Sequence, residues 1–141
     1  MVEKKFTKCI LTKATNTITI PEEVFNSMNP EGKNAVIILP IKFKKFTVFF
    51  TNAESALYIR LNLGKNKLIE EFFVGLSAAV SNVNLISLFT TGVCFEDDIC
   101  IWEGIFEFDL KMDLNAVHQE FSKVYSVEDC DIQLLGFNDA E

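Results

Sequence analysis

Histidine is nearly missing from this chain of 141 residues, and His118 stands alone. A single imidazole excludes a histidine-dependent triad or a multi-histidine metal site within one chain, unless cysteines or carboxylates complete it. Arginine is as scarce, with none before Arg60. Bidentate reading of base edges favours arginine, so the first part of the chain lacks the usual donor for sequence-specific base contacts. The four cysteines, at 9, 94, 100 and 130, form no Cys-x-x-Cys pair, and a zinc ribbon is not indicated. Neither a nucleophile elbow, a P-loop, a His-Glu-x-x-His nor a dinucleotide glycine pattern occurs. These absences argue against an enzyme and against a bound cofactor or metal. No apolar run reaches the length of a membrane span. Nor does an apolar stretch follow Met1-Val2-Glu3-Lys4-Lys5-Phe6, so no signal peptide is read. The expected location is cytoplasmic, with no membrane partner.

What is present is apolar bulk and an uneven charge. Hydrophobic residues make up 49%, including 14 phenylalanines, which is enough for a real core. The net charge of −7 divides unequally. Residues 1–48 carry eight lysines and four glutamates, a net of +4, while residues 49–141 sum to −11. Opposite signs in two halves predict two modules with different partners. The basic half suits nucleic acid and the acidic half repels it.

The basic half is arranged around Thr17-Ile18-Thr19-Ile20-Pro21. The β-branched run predicts a short strand, stopped by Pro21. Glu22 and Glu23 then sit where a helix N-terminus favours negative charge, so a helix is expected over 21–28. Asn29-Pro30-Glu31-Gly32 reads as a turn, residues 35–39 as a strand, and Lys42 to Phe50 as strand-like. Ile18-Thr19-Ile20-Pro21, the glycine turn and Val36-Ile37-Ile38 resemble the AbrB-type (SpoVT-type) swapped-hairpin domain over roughly residues 5–50. That resemblance implies an interleaved homodimer, half of a swapped-hairpin β-barrel per chain, and DNA binding. The residues it assigns to DNA are Lys4, Lys5, Lys8, Lys13, Thr15 and Asn16. Lysines suit phosphates rather than base edges, which predicts weak sequence preference.

Thr51 to Ser55 is polar and reads as a linker. Beyond it, Leu57, Ile59, Leu61 and Leu63 alternate with polar residues, as in a half-buried strand. Gly64-Lys65-Asn66 is a turn. Leu68, Phe72, Leu76, Ala79 and Val83 recur at helical spacing. Residues 85–95 and 99–108 read as a hairpin around Glu96-Asp97-Asp98. Side-chain volumes set its register: Phe95 opposite Ile99, Cys94 opposite Cys100, Gly92 opposite Trp102, Thr90 opposite Gly104, Leu88 opposite Phe106 and Ile86 opposite Phe108. Cys94 and Cys100 are expected as buried thiols. Asp113 reads as the N-cap of a helix with Val117, His118, Phe121 and Val124 on its packed stripe. Ile132, Leu134 and Gly136 alternate in a last strand.

The order βαββαβ is that of a ferredoxin-like unit. With Gly64 opening the first helix, residues 56–137 resemble an ACT (or ACT-like) regulatory domain. The resemblance implies a small-molecule effector, such as an amino acid, bound at a subunit interface by Asn62, Leu63, Gly64, Lys65 and Asn66. Where that family carries an acidic residue shortly before the glycine, this chain has Asn62 or Leu63. The expected class is therefore α+β, with a swapped-hairpin head over 1–51 and an ACT-like ferredoxin-fold sensor over 56–137. The expected function is transcription regulation by a homodimer or higher even oligomer, with no catalysis. The rival expectation is an antitoxin-like interaction or regulatory subunit that uses both folds for assembly.

Overall fold

The structure is a computed structural model that describes residues 11, 13, 15–28, 32–40, 44–96 and 98–137. The chain divides into two compact units, residues 1–30 and 31–141.

In the first unit, helix α1 spans Glu22–Met28. The Pro21 carbonyl accepts from the N–H groups of Val24 and Phe25, both at 3.0 Å, so the helix starts directly after the proline. Glu22 and Glu23 occupy its first turn, as their charge favours. No residue of α1 is buried, and Ile18, Ile20, Phe25 and Met28 are all exposed. Residues 17–20 have extended-chain composition but join no ladder. A strand needs a neighbour to bond with, and among the described residues this segment has none. No closed barrel is formed among the described residues.

The second unit is α+β. Strands β1 (Asn34–Ile38) and β2 (Thr47–Thr51) form an antiparallel hairpin. Then follow β3 (Ser55–Gly64), α2 (Glu70–Asn82), β4 (Ile86–Cys94), β5 (Cys100–Phe108), α3 (Leu114–Ser122) and β6 (Asp129–Leu135). The last six elements make a four-stranded antiparallel sheet in the order β4-β5-β3-β6. That strand order, with one helix after β3 and one after β5, is the ferredoxin-like arrangement.

One face of the sheet carries the core. Leu57, Ile59, Leu61 and Leu63 of β3 are wholly buried, together with Trp102 and Phe106 of β5. They meet Phe72, Leu76 and Ala79 of α2 and Val117 and Phe121 of α3 in one cluster. Trp102, Phe106 and Phe121 form an aromatic triangle, with ring centroids 6.0 to 6.4 Å apart. Gly104 lies beneath it, where a Cβ would fall on the rings of Trp102 and Phe106. The opposite face holds the alternate residues, and the β1–β2 hairpin touches it. Phe49 packs 6.1 Å from Phe89, and the Thr51 hydroxyl donates to Glu107 at 2.6 Å.

Both long helices end as their residues dictate. The Asp113 carboxylate accepts from the Asn115 N–H at 2.9 Å, so the predicted N-cap of α3 forms. Helix α2 stops at Asn84, whose φ of 52° is left-handed. The Asn84 N–H reaches Ser81 and the Leu85 N–H reaches Val80, a Schellman closure.

The hairpin register agrees with the volume argument at Cys94, Gly92 and Thr90, and departs from it lower down. A bulge between Ser87 and Phe89 places Ser87 opposite Phe106 and Ile86 opposite Glu107. The expected pairs Leu88–Phe106 and Ile86–Phe108 do not form, because the extra residue shifts the strand by one. The cysteines also differ from expectation. Cys94 and Cys100 form a disulfide. Phe95 N–H bonds Ile99 O at 2.9 Å, which makes the next pair, Cys94 and Cys100, a non-hydrogen-bonded one, where side chains approach most closely. Cys9 lies outside the described residues, and Cys130 is a buried thiol.

Candidate functional site

Of the residues assigned to an effector, Asn62, Leu63 and Gly64 end β3, and Lys65 and Asn66 begin the turn that leads to α2. Leu63 continues the buried alternation of Leu57, Ile59 and Leu61, and a register shift after Asn62 sets Gly64 opposite Cys100. Gly64 has a φ of 57°, a left-handed conformation that an L side chain resists. The Asn62 side chain fixes this geometry, its Oδ1 accepting the Gly64 N–H at 2.8 Å. The Asn66 N–H then closes the turn on the Leu63 carbonyl at 3.0 Å. Lys65 is exposed.

A second loop completes the site. It runs from α3 to β6 and turns at Ser126, whose φ is 71°. The Glu128 N–H donates to the Asn62 carbonyl at 2.8 Å, and the Asn66 side chain donates to the Ser126 carbonyl at 3.4 Å. These bonds carry the Glu128 carboxylate over Gly64, where a Cβ on the glycine would collide with it. Glu128 is the residue that sequence reasoning missed. The turn therefore has an anionic group despite the neutral Asn62 and Leu63, supplied from 64 positions further along the chain. Its carboxylate is exposed and offers acceptors to a cation or an N–H donor.

The groups expected to contact DNA are placed differently. Lys13, Thr15 and Asn16 are exposed in the first unit, while Lys4, Lys5 and Lys8 lie outside the described residues. The effector set adjoins along the chain, with the Leu63 side chain buried in the core.

Other ionisable groups serve the framework. On the helix-free face, Tyr58 donates to Glu103 at 2.8 Å. Burial, and then this bond to a carboxylate, push its phenol up to about 12. Burial likewise pushes the Cys130 thiol up to about 11, which keeps it protonated and unreactive. His118, expected in the packed stripe of α3, has an exposed ring that donates from Nε2 to the Cys130 carbonyl at 3.1 Å. A groove of about 440 Å³ beside β1 is lined by Val36, Ile37, Leu39, Ala56, Leu135 and Phe137 among others. Its polar groups on Asn34 and Thr51 are already bonded within the fold. No group of histidine, cysteine and carboxylate side chains suited to a metal occurs among the described residues. No helix among them is long and apolar enough to cross a membrane.

Comparison with solved structures finds three chains of similar fold. An ACT domain protein from Streptococcus pneumoniae matches at 18% identity with a TM-score of 0.43, over 60% of this chain and 91% of its own. An uncharacterized protein from Thermotoga maritima matches at 10% identity with a TM-score of 0.40, over 60% of this chain and 99% of its own. No family model and no curated protein matches the chain.

Proposed function

We propose that the chain is a non-catalytic regulator whose ferredoxin-like module binds a small effector carrying an ammonium group, such as an amino acid, at the Gly64 turn. The observation that carries this reading is the Glu128 carboxylate held over a left-handed glycine. An exposed carboxylate held against the turn supplies an ion-pair partner to such a group. Asn62 and Lys65 flank it, offering an amide and a cation to a ligand's acceptor groups. In this reading residues 1–51 are an AbrB-like head that dimerises and holds DNA. The exposed Ile18, Ile20, Phe25 and Met28 favour dimerisation, since a seven-residue helix without a buried face does not stand alone.

Thermal shift against the twenty amino acids tests the module. A ligand at one hundred times its Kd stabilises by about 2.7 kcal/mol, or roughly 10 °C for a unit of this size. The shift is expected to vanish in Glu128→Gln and in Gly64→Val while both variants still fold. If no amino acid raises the melting temperature, or the Glu128→Gln variant keeps the full shift, the turn is not the site. DNA retention across a salt series tests the head. Each lysine on a phosphate contributes about 0.9 to the slope of log K against log salt, and Lys5→Glu with Lys8→Glu should flatten it. With no retention at low salt, the antitoxin-like interaction subunit replaces the regulator.

A further inference from the structure

The Cys94–Cys100 disulfide closes a sequence separation of only six residues. A loop that short removes little freedom from the unfolded chain, so the bridge is a poor global staple. Its position gives it a local effect instead. Gly64 pairs with Cys100, so one end of the candidate turn is bonded to one bridged strand. Leu68, two residues past the turn, sits on Gly92, itself two residues from Cys94 on the other bridged strand. The segment from Gly64 to Leu68 thus rests on both strands that the disulfide holds together.

The two sulfurs also differ in access. Cys94 lies exposed on β4, at the end of the strand order, whereas Cys100 is only 2% exposed. We propose that Cys94–Cys100 is a thiol-exchange site and that its reduction loosens the Gly64 turn. An external thiolate attacks the Cys94 sulfur, forming a mixed disulfide there, and the Cys100 sulfur leaves and takes a proton. The second thiol of a dithiol then attacks its own sulfur in the mixed disulfide and releases Cys94 as a thiol. One protein disulfide and one dithiol become two protein thiols and one cyclic disulfide. The value of this switch to the cell rests on the effector reading of the turn, but the switch itself does not.

Hydrogen exchange of the full chain, oxidised and after millimolar dithiothreitol, tests the proposal without any effector. Reduction should speed exchange at the Gly64 and Asn66 amides about tenfold while the β3 amides from Leu57 to Leu61 stay protected. Cys94→Ser should match the reduced protein, and re-oxidation of the wild type should restore slow exchange. Three results overturn the proposal: a bridge that resists the dithiol in the folded protein, equal exchange at Gly64 and Asn66 in both states, or loss of protection throughout β3. A failed effector screen alone leaves it standing.

Discussion

Replacing Gly104 by alanine should add a damaging methyl to the core face of this sheet. An ideal Cβ there falls on Trp102 and Phe106, and neither ring is free to retreat. Trp102 is stacked 6.4 Å from Phe121, and Phe106 meets the same ring edge-on at 6.0 Å. Overpacking of a well-filled core costs about 1–3 kcal/mol. Alanine returns about 0.4–1 kcal/mol by restricting the unfolded chain. The net loss is about 1–2 kcal/mol, a fall of roughly 4–8 °C in Tm for a unit of this size. Two companions calibrate it. Nothing lies within 4 Å of a Cβ on Gly136, so Gly136→Ala should be neutral or slightly stabilising. On α2, a Cβ at Gly75 meets the Val124 Cγ1 at 3.4 Å, an ordinary contact, so Gly75→Ala should gain about 0.5–1 kcal/mol of helix propensity. Urea unfolding of the three variants, followed by Trp102 fluorescence, gives the ranking. Should Gly104→Ala prove as stable as Gly136→Ala, the aromatic triangle does not close over Gly104 as described.

Two further outcomes are expected. Burial and the bond to Glu103 push the Tyr58 phenol up to about 12 in the folded chain, from its ordinary value of 10.0. A raised value favours the neutral phenol in the fold, so its contribution is intact below pH 10 and is lost as pH rises towards 12. Ultraviolet titration should show a late phenol that Tyr58→Phe removes, and persistence of that late step in the variant would assign it elsewhere. Asp113→Ala leaves the Asn115 N–H without its cap and should cost about 1 kcal/mol by chemical denaturation. A loss below a few tenths would mean that solvent replaces the cap.

The parts of this fold legible in the sequence are those set by neighbours or by repeating patterns. The alternation from Leu57 to Leu63, the cap at Asp113 and the pairing near the hairpin tip are all local, and all appear in the structure. Residues 17–20 have strand composition, but propensity supplies no ladder partner. The bulge at Leu88 escaped because volume matching assumes an unbroken register. Glu128 escaped for a different reason. No spacing rule links residue 128 to residue 64, and only the pairing of β6 with β3, with the turn at Ser126, brings that carboxylate home. The turn itself was readable from Gly64, but its charge was not.

The bulge in β4 has a consequence for how this sheet tolerates change in chain length. Beyond the bulge, Thr90, Gly92 and Cys94 lie opposite the core residues of β5, and before it Ser87 does. The strand therefore changes parity once, at Leu88. Within an unbroken ladder, losing or gaining one residue turns every later side chain to the wrong face. In β5 that would put Glu103 and Glu107 where Trp102 and Phe106 now stand. At Leu88 the chain already holds a spare residue outside the ladder, on a strand bonded on one side only among the described residues. Removing it would leave Ser87 and Ile86 opposite their present partners, Phe106 and Glu107, and keep the frame from Phe89 onward intact. The bulge at Leu88 is thus a place where evolution can shorten the chain without rewriting the interior.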